Sequence, residues 1–275
     1  MTWKAWIIGS ILLAALLATA ALVAPRHLPE DYLLRKEHRQ RDQALREREK
    51  ILWEELGPAD RIRVRMWDKK LREGQWALAD SLASFWMRRG KLLMACKALT
   101  LRASLSGLPS HYESAFDFCQ AALDMEQEDD RAHVLTTLRQ TAEQALSTDS
   151  LMPSAQVAMA VVEVHEGGNP MAGIGRLRRL LQREPRNVKA LLQMGHFSML
   201  SGQADKALER YLMAIQAAPQ NASVAFYVAD AYARLGQLDS ATSWLARLIN
   251  LESNPTTRAS VIQYFQENHN IRINR

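Results

Sequence analysis

Apolar positions in the C-terminal half of the chain recur at a helical spacing of three and four residues. Between Val188 and Asn221, one apolar stripe ends at Ser201 and Gly202, and a second stripe follows before Pro219. The first stripe contains Leu191, Met194, Gly195 and Ser198, and the second contains Ala207, Leu208, Tyr211, Ala214 and Ile215. This spacing predicts two helices joined by a short turn.

The hairpin pattern returns every 34 residues. The equivalent positions are Gly168, Gly202 and Gly236; Gly173, Ala207 and Ala241; Leu177, Tyr211 and Leu245; and Pro185 and Pro219. A fixed period of this length is the sequence signature of stacked helical repeats. We therefore predict three phased units over residues 154–253, in which the small residues Gly195 and Ala207 allow the two helices of the middle unit to approach closely.

The middle unit resembles the tetratricopeptide repeat (TPR) family. It matches the family pattern at Leu191, Met194 with Gly195, Ala207, Tyr211 and Pro219, and it departs from that pattern at Ser198. The resemblance implies an all-α, TPR-like solenoid of helical hairpins, with a concave groove that binds protein partners. Because this fold serves many partners, the resemblance does not name one.

The resemblance also implies that the groove is lined by first-helix residues not used for hairpin packing. The candidate partner-binding residues are Lys189, Leu192, Gln193, His196, Phe226, Tyr227, Asp230 and Arg234. The preceding unit would add Ala158 and Val162, and this set lacks the Lys and Asn clamp of chaperone-binding members. The alternative for each residue is an ordinary solvent-facing position. We expect Phe226 and Arg234 to contact a partner and to take no part in hairpin packing.

The remaining segments surround the phased units. Residues 26–58 predict a charged helical stalk, and residues 59–153 predict divergent TPR-like helices whose first apolar stripe contains Ile62, Met66 and Leu71. Residues 254–275 predict a capping helix and a tail. Such a helix would cover the apolar face of the last full repeat.

A run of 20 uncharged residues, Ala5 to Ala24, is long enough to cross a bilayer as one helix. We expect residues 1–25 to form a single-pass transmembrane anchor, and the alternative is a cleaved signal peptide, because Ala18-Thr19-Ala20 resembles a cleavage site. The positive charges on the two sides of the run give conflicting orientations. We expect the body to be periplasmic, with a cytoplasmic body as the alternative.

Charge divides the chain into three parts. Residues 26–105 have a net charge of +7, residues 106–153 of −7 and residues 154–275 of +4, so different partners could be attracted to each part. The arginines at 61, 63 and 65 are better explained by a solvated helix face than by nucleic-acid binding. Cys96 and Cys119 form no metal or redox motif. They are interpreted as buried thiols, with a disulfide left open if their helices are neighbours.

No sequence motif supports catalysis. The chain lacks a Gly-rich phosphate loop, a GxSxG elbow and an HExxH pair, so no cofactor or metal is predicted. We therefore expect a non-enzymatic, membrane-anchored TPR scaffold that binds protein partners at a bacterial inner membrane, in envelope biogenesis or secretion. The alternative is a cytoplasm-facing regulatory subunit that tethers an enzyme to the membrane.

Overall fold

The computed structural model describes residues 30–125, 128–166 and 169–271. Within these ranges the chain forms thirteen helices and no strand, which confirms the predicted all-α fold. The helices are α1 (Glu30–Glu54), α2 (Pro58–Arg72), α3 (Leu78–Met87), α4 (Leu92–Ser106), α5 (Pro109–Met125), α6 (Glu128–Thr148), α7 (Pro153–His165), α8 (Pro170–Arg183), α9 (Val188–Leu200), α10 (Ala204–Ala217), α11 (Ala222–Arg234), α12 (Leu238–Leu251) and α13 (Pro255–His269).

The chain divides into two units, Met1–Ile51 and Leu52–Arg275, with the boundary inside α1. Most of the segment predicted as a charged stalk is helical in α1. The apolar run at residues 5–24, predicted as a membrane anchor or signal peptide, lies outside the described residues. None of the described helices has the length and apolar character needed to span a bilayer.

Helical repeats make up the C-terminal half of the chain. The second helices of three successive hairpins, α8, α10 and α12, begin at Pro170, Ala204 and Leu238, which are 34 residues apart. Each packs against the helix before it, and neighbouring hairpins pack against one another. Gly202 and Gly236, at φ 72° and 73°, adopt the left-handed conformation at the turns of the last two hairpins. This conformation costs little for glycine, so the predicted turns form there.

Asparagine side chains cap the N-termini of α9, α11 and α13 in the same way. Asn187 accepts a hydrogen bond from the backbone N–H of Ala190 at 3.0 Å, and Asn221 accepts one from Val224 at 3.2 Å. Asn254 plays the same part at the start of α13. These N-caps satisfy backbone donors that would otherwise lack a partner, and each is worth about 1 kcal/mol relative to alanine. Successive helices therefore begin at defined residues.

Gly195 and Tyr211 determine how closely α9 and α10 pack. A Cβ atom at position 195 would lie 2.7 Å from Cδ1 and 2.8 Å from Cζ of the Tyr211 ring, and closer still to Cε1. Tyr211 is buried and stacks on Tyr227 of α11, with ring centroids 5.4 Å apart. In the next unit the equivalent residues are Ala229 and Leu245, both fully buried. The close approach predicted at Gly195 is thus confirmed, and it provides the space for Tyr211.

The divergent helices pack differently from the sequence expectation in α2. Ile62 and Met66 are 69% and 46% exposed, whereas Val64 and Leu71 are buried. The stripe predicted from Ile62 and Met66 was therefore wrong, because α2 buries only a narrow face with residues seven apart, against α3. In the same divergent segment, the charged residue Arg102 of α4 is also buried.

A hydrogen-bonded cluster links three of these helices. The Arg102 guanidinium donates to both carboxylate oxygens of Asp80 in α3, at 2.9 and 3.0 Å, and to Ser114 Oγ in α5, at 2.8 Å. Buried arginine requires such partners, because an unpaired charge in the interior is costly. The cluster therefore joins α4 to both α3 and α5.

Candidate partner-binding groove

A groove with a volume of about 580 Å³ is lined by α5, α7, α9 and α11. Its apolar side chains are Phe116, Ala121, Leu123, Val157, Val161, Val188 and Leu192, of which only Ala121, Val188 and Leu192 are not buried. Its polar side chains include Asp117, Gln120, Asp124, His165, Lys189, Gln193, His196 and Tyr227. Apolar contact surface with interspersed polar groups is the usual composition of a protein recognition surface.

Five of the eight candidate residues from the sequence line this groove. They are Lys189, Leu192, Gln193, His196 and Tyr227. The four on α9 recur at intervals of three and four residues, so they share one face of the helix. The opposite face of α9 is buried in the hairpin with α10. The sequence pattern thus places these side chains together.

An ion pair joins two walls of the groove. Lys189 Nζ on α9 lies 2.8 Å and 2.9 Å from the two carboxylate oxygens of Asp117 on α5. Both side chains are about half exposed, so the pair contributes at most about 1 kcal/mol to stability. Its larger effect is electrostatic, because it neutralises the one lysine in the groove.

Two histidines and a tyrosine face the groove beside Asp124. Burial lowers the pKa of His165, and Arg131 and His196 lower it further, while Asp124 opposes the shift. Burial also lowers the pKa of His196, with Asp124 again acting in the opposite direction. Burial raises the pKa of the Tyr227 hydroxyl, and Asp124 adds to that shift. At neutral pH all three rings are therefore uncharged.

The other three candidate residues contact α13. Phe226 packs against Tyr264 and Phe265, with ring centroids 5.2 Å and 5.6 Å away. Asp230 is only 7% exposed. Phe226, expected to stand apart from hairpin packing and to contact a partner, instead packs against α13 and does not line the groove.

The Asp230 carboxylate is the centre of the contact between α11 and α13. It accepts hydrogen bonds from the Tyr264 hydroxyl at 2.8 Å and from Arg234 Nε at 2.7 Å, and it lies 2.8 Å from His269 Nε2. Arg234 therefore helps to hold Asp230 in place, and the prediction that it contacts a partner stays a prediction. The sequence pattern missed the Asp230 contacts because charged residues on a first helix are typical of solvent-facing positions.

The sequence assigned the wrong residues of α7 to the groove. Ala158 and Val162 are fully buried, whereas Val157 and Val161 lie at the base of the groove, where each is 2% exposed. The reason is a one-residue shift, since α7 begins 35 residues before α9, whereas α8 begins 34 residues before α10. The additional residue lies within the first hairpin.

The contribution of α5 was not predicted from the sequence. Asp117, Gln120 and Asp124 follow the groove along one helical face, at spacings of three and four residues. That spacing indicates a shared polar face on α5. It does not assign the face to the groove, because α5 has no counterpart 34 residues away with which the repeat pattern could align it.

The described residues bring together no three His, Cys, Asp or Glu side chains that could hold a metal ion. Cys96 and Cys119, on neighbouring helices α4 and α5, are free and buried. In the groove, the ionisable groups are spread over four helices.

No family model matches the chain, and no curated protein matches it. Three solved structures of MamA are similar to it. One has 13% identity and a TM-score of 0.36 and covers 73% of this chain and 98% of its own. A second has 17% identity and a TM-score of 0.38, with coverage of 65% and 97%. A MamA point mutant has 15% identity and a TM-score of 0.34, with coverage of 70% and 99%. Similarity at this level does not identify a family.

Proposed function

We propose that this chain is a non-enzymatic scaffold of the TPR type that holds a segment of a partner protein in the groove of α5, α7, α9 and α11. The observation that supports this is the groove itself, where four helices turn a mixed apolar and polar face toward one volume of about 580 Å³. Apolar side chains there provide contact area, and the polar side chains provide register and selectivity.

Site-specific photocrosslinking in living cells tests this proposal. A photoreactive amino acid at Gln120 or Gln193, both half-buried in the groove, should give a discrete crosslinked protein adduct. The matched control is the exposed Glu209 on α10, a second helix whose residues do not line the groove. Equal adducts from Glu209, or none from the groove positions, would contradict the proposal.

We further propose that residues 5–24 attach the chain to a bacterial inner membrane, with the body in the periplasm, where the scaffold serves envelope biogenesis or secretion. The uncharged run in the sequence supports the attachment. A reporter fused after Arg275 tests the orientation. Activity of a reporter that works only in the cytoplasm would favour the alternative, a regulatory subunit that tethers an enzyme to the membrane. Release of the body into the soluble fraction would indicate a signal peptide.

A further inference from the structure

The two aspartates that line the groove, Asp117 and Asp124, differ in whether a cation pairs with them. Lys189 is bound to both carboxylate oxygens of Asp117, at 2.8 Å and 2.9 Å, so this lysine and this aspartate cancel. Asp124 also lines the groove and is exposed. Among the described residues, no hydrogen bond or ion pair joins Asp124 to another side chain. The groove therefore has one carboxylate that a ligand can bind.

The position of Asp124 is unfavourable for the stability of α5. It is the second-last residue of the helix, where the helix dipole is negative, and the last turn has no basic residue. An acidic side chain at a helix C-terminus is repelled by the dipole, whereas a basic one is stabilised there. Helix stability thus gives no reason for an aspartate at this position.

The groups around Asp124 do not neutralise it. His165 on α7, His196 on α9 and Tyr227 on α11 lie within electrostatic range, and burial keeps both imidazoles neutral at pH 7 by lowering their pKa. Arg131 on α6 lies within electrostatic range of both histidines, and no ion pair joins it to Asp124 in the described part of the chain. Asp230 is already occupied by Arg234.

The sequence around Asp124 is strongly acidic. Residues 124–131 contain five Asp and Glu and a single Arg. A run of residues with one sign of charge favours ligands of the opposite sign. The uncharged rings of His165, His196 and Tyr227 leave this preference unopposed.

We infer that the partner segment held in this groove carries a lysine or arginine that binds Asp124, next to apolar residues that pack on Ala121, Val188 and Leu192. This inference rests on the proposed function and specifies the partner by its charge. The segment's cation would lie beside the Asp124 carboxylate, in the groove that His165, His196 and Tyr227 also line. Its apolar neighbours would fill the floor of the groove.

Peptide display measures this preference directly. A library of random 12-residue peptides is selected against the full chain in detergent micelles, in parallel with the variants Asp124→Lys, Glu209→Lys and Gln193→Trp. Glu209→Lys makes the same charge change on an exposed residue outside the groove. Gln193→Trp fills the groove without changing its charge. Circular dichroism confirms that each variant remains folded.

We expect the wild-type chain and Glu209→Lys to enrich peptides with Lys or Arg beside apolar residues, and Asp124→Lys to lose that enrichment. For one enriched peptide, Asp124→Asn should weaken binding about 5-fold, as for a partly exposed ion pair. Enrichment that Gln193→Trp abolishes but that shows no basic preference, or an acidic one, overturns the inference and leaves the proposed function intact. Enrichment that Gln193→Trp does not affect, or no enrichment, overturns both.

Discussion

The contact between Gly195 and Tyr211 allows a stability prediction with an internal control. In the variant Gly195→Ala, the new methyl group would lie within 2.8 Å of three atoms of the Tyr211 ring. The ring has little freedom to move, because Tyr211 is 2% exposed and stacks on Tyr227. The helices α9 and α10 must therefore separate, or the ring must leave its preferred rotamer.

Two opposing terms determine the size of the effect. Overpacking of a buried site costs about 1 to 3 kcal/mol, and contact with three ring atoms favours the upper half of that range. Replacing glycine by alanine within a helix returns about 0.8 to 1.0 kcal/mol. We therefore expect Gly195→Ala to lower the free energy of unfolding by about 1 to 2 kcal/mol. A leucine at the same position should be far more disruptive.

Gly175→Ala on α8 is the matched control. A Cβ atom there would meet only Nη1 of Arg179, at 3.4 Å, which is the end of a flexible side chain. This variant should gain about 0.8 kcal/mol, because only the helix propensity changes. Urea denaturation of the full chain in mild detergent, followed by circular dichroism at 222 nm, compares the two. If both variants shift the midpoint in the same direction, the packing explanation is refuted.

A double variant tests the same contact from the other side. Gly195→Ala combined with Tyr211→Leu recreates the residues found at the equivalent positions of the next unit, Ala229 and Leu245. The second change removes the ring atoms that the new methyl group would meet. The double variant should therefore be more stable than the sum of the single changes predicts, by about 1 kcal/mol or more. Simple additivity would show that the two side chains do not interact.

Three further predictions concern other parts of the fold. Asp230→Ala should cost about 2 to 3 kcal/mol and speed hydrogen exchange of the α13 amides, because three side chains lose a charged acceptor; unchanged exchange would contradict this. Stability should fall as the pH drops below 6.5, because burial lowers the pKa of His165 and His196 and the unfolded chain then binds more protons; a urea midpoint at pH 5.5 equal to that at pH 7.5 would refute it. A thiol reagent should react with Cys96 and Cys119 only in urea, because both are buried, and because the hydrogen bond that the Cys119 thiol makes to Cys96, together with burial, raises the pKa of Cys119; rapid labelling of the folded chain would disprove this.

The 34-residue period could be predicted from the sequence because the packing of each hairpin requires particular residue types at fixed positions. Gly202, Gly236 and the Gly195 contact are local requirements of a turn or a helix crossing, so each appears as a residue type at a fixed position. The groove positions on α9 follow from the same period. These features depend only on residues within one hairpin or in neighbouring hairpins.

The features that the sequence did not predict depend on longer-range packing. The groove wall supplied by Asp124 depends on how α5 meets three phased helices, and α5 has no equivalent in the repeat. The burial of Asp230 depends on Tyr264, a residue 34 positions later in a helix that pairs with no second helix among the described residues. The one-residue shift in α7 moves Val157 and Val161 into the groove, and a constant period cannot reveal it.

The asparagine caps at Asn187, Asn221 and Asn254 have a consequence for how such a chain can change in length. The segment from Asn187 to Gln220 contains its own helix start, its own turn glycine and its own matched pair of Gly195 and Tyr211. A tandem duplication of these 34 residues would add one hairpin that brings its own cap, turn and helix-crossing contact. The contact between hairpins would change, because Tyr211 of the first copy would meet Gln193 of the second copy in place of Tyr227. A single genetic event could therefore extend the groove, and with it the span of partner that fits, with adjustment needed only at the new contact between the two copies.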